Sequence, residues 1–191
     1  MRSEGVAKSH RAIDYVNARR HRQSPWIATD TAVEEVRAFW DGPLVLSGAV
    51  ANGRAVLAAE VLGCDFAYAG TLFIPSEEAI APDPHKQMIT RAEADGIVYT
   101  PMFSGTHANY LAESVTAVGV ALEEARRAVA RPMTSKDDPD RPKAWKDVYS
   151  AGQAVGQSRA IEPAADIVAR LAREYGAACA KVTARSGEES R

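Results

Sequence analysis

Two small-residue turns stand at the ends of two apolar runs in residues 43–71, PLVLSGAVANGRAVLAAEVLGCDFAYAGT. Ser47-Gly48-Ala49 follows the first run and Gly70-Thr71 the second. A glycine carries no Cβ, so an anionic oxygen can approach its main chain closely, and successive amides at a strand end make a concave donor surface for that anion. Thr71 adds a hydroxyl donor beside its own N–H. Two such turns converging on one point would hold a phosphate. The same glycines also suit tight strand-to-helix turns that bind nothing, and spacing alone leaves both readings open.

Four histidines are the candidates for proton transfer. His10 and His21 lie in the polar, arginine-rich residues 1–31, and His85 is read on a helix surface beside Lys86. His107 follows Phe103-Ser104-Gly105, in a position that could touch a ligand, although a solvated loop is the ordinary setting for such a residue. Trp145 and Tyr149, one helical turn apart, read as core packing rather than a cofactor box. Glu123, Glu124, Arg126 and Arg127 read as a solvated helix face with local ion pairs. Cys64 and Cys179 are far apart and lack CxxC or His spacing, so neither a metal site nor dithiol chemistry is supported, and both read as buried free thiols.

Composition narrows the class. The 23 basic and 25 acidic residues leave a net charge of −2, and no basic run is interleaved with aromatics, which argues against a nucleic-acid partner. No stretch reaches the ~18 apolar residues of a membrane span, and residues 1–23 carry no apolar signal core. The expected location is cytoplasmic. At 191 residues the chain can bury one substantial core.

The elements that must position these groups alternate. Thr31 is placed to cap a helix running to Phe39, with Val33, Val36 and Phe39 on one face. Residues 43–46 read as a strand, and Asn52-Gly53 opens a helix that Gly63 stops. Residues 65–70 read as the second strand. Ser76-Glu77-Glu78 looks like a further helix start, interrupted by Pro82 and Pro84 and resumed over residues 85–94, and residues 97–100 read as a third strand. Residues 111–130 are helical but split by Gly119, residues 131–142 are a Pro/Asp/Lys-rich loop, and residues 145–155 are helix-like. Pro163 opens a final helix with Ile167, Val168, Leu171 and Tyr175 on one face, fraying after Lys181. Strands separated by 10 to 20 residue crossovers predict parallel βαβ units rather than hairpins. Right-handed crossovers would put both turns on the carboxyl edge of one sheet, where ligands sit.

The segments DGPLVLSGAVANG, AEVLGCDFAYAGTLFI, HKQMI, DGIVYTPMFSGTHANYL and KAWKDVYSAGQAVG, in that order across residues 36–175, resemble the carboxyl-terminal half of the nitronate monooxygenases, also called 2-nitropropane dioxygenases. The resemblance implies an α/β chain forming part of a (β/α)8 TIM barrel that binds FMN. It places the family's phosphate turn on Gly48, Ala49, Val50, Ala51 and Gly53, and its Gly-Thr pair on Gly70 and Thr71. It also puts Phe103-Ser104-Gly105 and residues 150–153 near the flavin or the mouth of the site. The family's catalytic histidine falls on His21, in the run Arg19-Arg20-His21-Arg22-Gln23-Ser24-Pro25, where the family's flanking glycines are absent. On composition alone His21 reads as an exposed histidine in a basic segment.

The activity implied is oxidation of alkyl nitronates by FMN and O2 to a carbonyl compound and nitrite, with no metal. The same barrel serves flavin-dependent enoyl reductases, for which NADH dependence would be the mark. A complete barrel takes about 250 residues, and only three strands are recognisable, so the chain reads as part of an enzyme. Residues 1–31 form an atypical leader, 32–180 the carboxyl-terminal barrel part and 181–191 a flexible tail. A homo-oligomer or a complementing amino-terminal half would be needed to bury the open strands, and a non-catalytic remnant is the third reading.

Overall fold

The computed structural model describes residues 29–129 and 142–188. The leader through residue 28, with His10 and His21, and most of the residue 131–142 loop lie outside them.

Helix α1 (Thr29–Arg37) opens the described chain, two residues before the expected cap at Thr31. Val33 and Val36 recur at helical spacing and pack with Leu44, Ala59 and Cys64 as a first buried cluster. Arg37 fixes the helix to the starts of the next strands. Its guanidinium donates to the Gly63 carbonyl (2.7 and 2.9 Å), the Gly42 carbonyl (2.7 Å) and Asp65 Oδ2 (2.6 Å), and that carboxylate also accepts the Leu44 N–H (2.8 Å). These donors hold the Asp65 carboxyl below its usual range, the Leu44 amide most of all.

Strand β1 (Val45–Ser47), helix α2 (Gly53–Val61) and strand β2 (Phe66–Tyr68) make the expected parallel βαβ unit. The register is Val45↔Phe66, Leu46↔Ala67 and Ser47↔Tyr68. Asn52 caps α2, its Oδ1 accepting the Ala55 N–H at 2.9 Å. Gly63, at φ +93°, turns the chain after it.

The third expected strand takes a different part. Strand β3 (Ile97–Thr100) pairs antiparallel with β4 (Ala108–Leu111) in a separate two-stranded sheet, so the prediction of parallel units in place of hairpins fails here. The connection of seven residues is too short for a crossover, and Gly105 at φ +76° with its N–H on the Pro101 carbonyl (2.8 Å) closes it as a turn. The described residues thus form a mixed α/β structure with two small sheets and do not close a barrel.

Several other elements depart from expectation. No helix starts at Ser76. Instead Ser76 bridges Glu162, and the Glu78 carboxylate accepts the Ala164 N–H (2.9 and 3.2 Å), capping the last helix from across the chain. Helix α3 (Asp83–Arg91) begins at Pro82 as cap and ends before Ala92, which is extended. Helices α4 (Ala112–Ala117) and α5 (Leu122–Arg127) reproduce the split at Gly119, and Arg126 pairs with Glu123 at 2.9 Å.

Residues 145–155 are not an α-helix. Asp147 Oδ2 accepts the Lys143 N–H (2.8 Å), Trp145 sits at φ +65°, and only a short 3₁₀ turn, Gln153–Gln157, follows. Side-chain acceptors of this kind compete with helical pairing, and Gly152 and Gly156 add backbone freedom. Trp145 is 66% exposed, not core. Helix α6 (Ala164–Glu188) continues well past Lys181.

Candidate functional site

The parallel register decides where the two turns go. Ser47 and Tyr68 are paired at the ends of their strands, so Gly48-Ala49 and Ala69-Gly70-Thr71 leave the same edge of the sheet. Gly48 lies at φ +111° and Ala49 at φ +54°, both in the left-handed region. Glycine suits the first, and alanine tolerates the second at roughly 1 to 2 kcal/mol. The turn is exposed while Val50 and Ala51, just beyond it, are buried.

On the second strand, Gly70 opens a 3₁₀ turn (Thr71–Phe73) without a side-chain cap. Thr71 Oγ1 accepts the Gly152 N–H at 2.7 Å. That bond draws residues 150–153 to the carboxyl edge of β2. A further bond fixes the same stretch, since His85 Nε2 lies 3.0 Å from the Ser150 carbonyl and must carry the proton it donates there. The His85 ring stacks on Tyr149, with centroids 4.7 Å apart and planes at 8°. His85 is therefore not the surface residue the sequence suggested. Burial lowers its pKa, partly offset by the Ser150 carbonyl.

Lys86, expected beside it on the surface, is also buried. Its Nζ donates to the carbonyls of Ser76 (2.7 Å) and Glu77 (3.2 Å), pinning the loop that follows the Thr71 turn. The signal for this pair was present in the sequence. Met88 and Ile89 mark the inward face of α3, and His85 and Lys86 lie one turn before them.

Gly53, carried over as part of the phosphate turn, serves a different purpose. Its N–H donates to Glu174 Oε2 of α6 at 2.8 Å, so a carboxylate already occupies the first amide of α2. A Cβ there would fall within about 2.5 Å of the Leu171 carbonyl and the Glu174 backbone. This glycine exists to let two helices touch.

Phe103, Ser104 and Gly105 fold into the hairpin turn. Phe103 packs edge-on against Tyr110 (5.1 Å), and Ser104 Oγ donates to the Thr106 carbonyl (2.7 Å). His107 stacks on Tyr99 at 4.9 Å. Cys64 is buried, and burial raises its thiol pKa, whereas Cys179 is only partly buried. Among the described residues no three His, Cys, Asp or Glu side chains gather as metal ligands, and no helix is long and apolar enough to cross a membrane.

This architecture has known counterparts. Solved TIM-barrel enzymes share it over part of their length. Nitroalkane oxidase from Streptomyces ansochromogenes superposes with a TM-score of 0.64 at 27% identity, over 82% of this chain and 46% of that one. FabK from Thermotoga maritima gives 0.59 at 20% identity over 84% and 53%. Over the matched part, the mixed α/β fold is shared with these chains.

The family follows from the sequence itself. The model of the nitronate monooxygenase family matches residues 21–174, and the chain belongs to that family. A nitronate monooxygenase of Paraburkholderia phytofirmans is 26% identical over 184 residues, 90% of this chain and 48% of its own length. A probable nitronate monooxygenase of Staphylococcus haemolyticus is 27% identical over 119 residues, 55% of this chain and 33% of its own. The chain spans about half the length, or less, of the curated relatives it matches.

Proposed function

We propose that this chain supplies the carboxyl-terminal, phosphate-anchoring half of an FMN-dependent barrel that oxidises alkyl nitronates with O2 to a carbonyl compound and nitrite. The observation that carries the reading is the β1–β2 register, which delivers Gly48-Ala49 and Gly70-Thr71 to one edge. The donor set suits the phosphate end of FMN. Gly48 has no Cβ and a positive φ, and the Thr71 oxygen accepts from Gly152, which leaves its proton to be donated to an anion.

When bound, the flavin supplies the electron transfer between substrate and oxygen. The chain's own residues bind and orient. Gly48, Ala49, Gly70 and Thr71 would hold the phosphate, and the Thr71–Gly152 and His85–Ser150 bonds fix residues 150–152 beside the Thr71 turn. Glu174 already takes the Gly53 amide, so that N–H would not be among the phosphate's donors. His21, outside the described residues, takes the proton of a neutral nitroalkane in this reading. The small-molecule substrate and a cytoplasmic location complete it.

Titration with FMN against riboflavin tests the cradle. FMN binding at least about tenfold tighter, about 1.4 kcal/mol, is expected, and Gly48→Val should erase the preference. Equal affinity, or no saturable binding even with an amino-terminal half supplied, rules the reading out. NADH consumption without nitrite release from a nitronate would turn the assignment to enoyl reduction.

A further inference from the structure

Both strand-end turns are tied to one further stretch of chain, residues 150–157. Its inner side is seated in the core. Ala151, Ala154 and Val155 are buried, and Val155 packs with Met88, Ile89 and Leu111. His85 holds its start at the Ser150 carbonyl. At one end of its outer side the Gly152 N–H meets Thr71 Oγ1 at 2.7 Å. A Cβ on Gly152 would come within 3.0 Å of the same oxygen, so glycine lets the stretch pass this close. At the other end Asn52 Nδ2 donates to Gln157 Oε1. Asn52 ends the loop that Gly48 begins.

The direction of this last bond is fixed by what surrounds it. Asn52 Oδ1 accepts the Ala55 N–H at 2.9 Å, a role that only the oxygen can fill, so its nitrogen faces Gln157. Gln157 must then present its own oxygen. Capping α2 needs the oxygen of Asn52 alone, and Gln157 is an exposed side chain 105 residues further along the chain. What its bond adds is geometric. Together with Gly152 on Thr71, it makes residues 152–157 a strap between the loop after β1 and the turn after β2. A 3₁₀ turn, Gln153–Gln157, spans the strap. The Val155 N–H on the Gly152 carbonyl (3.3 Å) and the Ser158 N–H on the Val155 carbonyl (3.0 Å) keep it from stretching.

We infer that Gln157 is a positioning residue of the phosphate cradle, holding the Gly48 loop and the Thr71 turn at one spacing so that an anion meets both together. The inference rests on the reading of these turns as a phosphate site. An oxyanion that bridges two loops gains from the second only what remains after the loops have been brought together, and a strap that has already fixed their separation removes that cost.

The test uses the full chain, isotope-labelled for amide resonances, and inorganic phosphate, with ionic strength held constant by sodium chloride. In the parent the Gly48 and Thr71 amides should shift along one saturation curve. Gln157→Met keeps the length of the side chain and removes the acceptor. It should weaken phosphate about fivefold, what one hydrogen bond is worth, with the urea midpoint unchanged. Asn52→Ser keeps an oxygen for the helix cap but is too short to reach Gln157. It should weaken phosphate by the same factor, and the double variant by no more than either change alone. Should Asn52→Ser unfold the chain, Gln157→Met decides by itself. A phosphate curve that Gln157→Met leaves in place overturns the proposal, as do effects of the two changes that multiply. If the parent turns bind phosphate and Gln157→Met is indifferent, the phosphate reading stands and the strap falls. A parent whose turns ignore phosphate removes both.

Discussion

Among the described residues the two sheets have two strands each, three residues long in β1–β2 and four in β3–β4, and they differ in what completes them. The antiparallel pair β3–β4 is closed by its own short turn and wrapped by neighbours, with Val98, Tyr110, Val115, Ala125 and Val148 fully buried around it. The parallel pair β1–β2 needs a crossover helix to exist, and with that helix in place it still shows Val45, Phe66 and Tyr68 to solvent. An antiparallel hairpin finds its partner seven residues away, so local chain suffices. A parallel strand finds its neighbours only through long connections, so among the described residues the parallel pair stays open on one face while the hairpin is wrapped by its neighbours.

The largest effect should come from α2, the helix that connects the parallel strands, where it meets α6. Gly53→Ala drives a methyl into the backbone of α6, which cannot step aside as a flexible side chain would. A loss of about 3 kcal/mol, the upper end for overpacking, is expected in urea unfolding. A loss below about 1 kcal/mol would mean that α2 and α6 are not seated as described.

A matched pair of truncations then compares the sheets directly. Leu111 in β4 is buried against Met88, Ile89, Ala151 and Val155, and Leu111→Ala should cost about 3 kcal/mol. Phe66→Ala removes a larger side chain from β2, yet in the chain alone it should fall within about 0.5 kcal/mol of the parent, as exposed sites do. Equal losses would show that the parallel pair is already covered. Between these values lies Lys86→Met. It keeps the buried stem and strands the Ser76 and Glu77 carbonyls, at a cost of about 2 kcal/mol. The same change should loosen the turn at Thr71, measurable as faster amide exchange at Gly152.

The same contrast explains what the sequence disclosed. The βαβ unit was legible because its signals are local: apolar runs, Asn52 as cap, Gly63 as stop. The family was legible from ordered motifs. The hairpin was not legible because residues 108–111 are not read as a strand and Leu111 is assigned to the following helix, so residues 97–100 have no expected neighbour seven residues on. The residue 145–155 stretch was misread because one side chain, Asp147, takes the Lys143 amide and breaks a pattern that hydrophobic spacing supported. At the candidate site, Gly48 and Thr71 stand out by residue type, and the strand register brings their turns to one edge. Gly53 was given the wrong purpose, since its partner Glu174 lies 121 residues away. His85 and Lys86 read as surface residues by their charge, whereas their place one turn before Met88 and Ile89 puts them toward the inward face.

The smallest expected effect concerns the seam joining the two regions. His85 ties α3 to Ser150, two residues before the Gly152 amide that reaches Thr71, and its pKa in the fold is lowered chiefly by burial. The unfolded chain, with an ordinary value of about 6.5, therefore takes up the proton first as pH falls. Stability from this group is fully present above about pH 6.5 and is lost as pH drops through the lower folded value. The urea midpoint of the parent should fall between about pH 7.5 and pH 5.5, on either side of that ordinary value. His85→Phe keeps a flat ring against Tyr149 but removes both the titration and the Ser150 bond, so it should start slightly less stable and lose less over the same interval. Parallel pH profiles for the two proteins would mean that the ring does not titrate between folded and unfolded states. The seam would then be held by the Thr71–Gly152 bond without it.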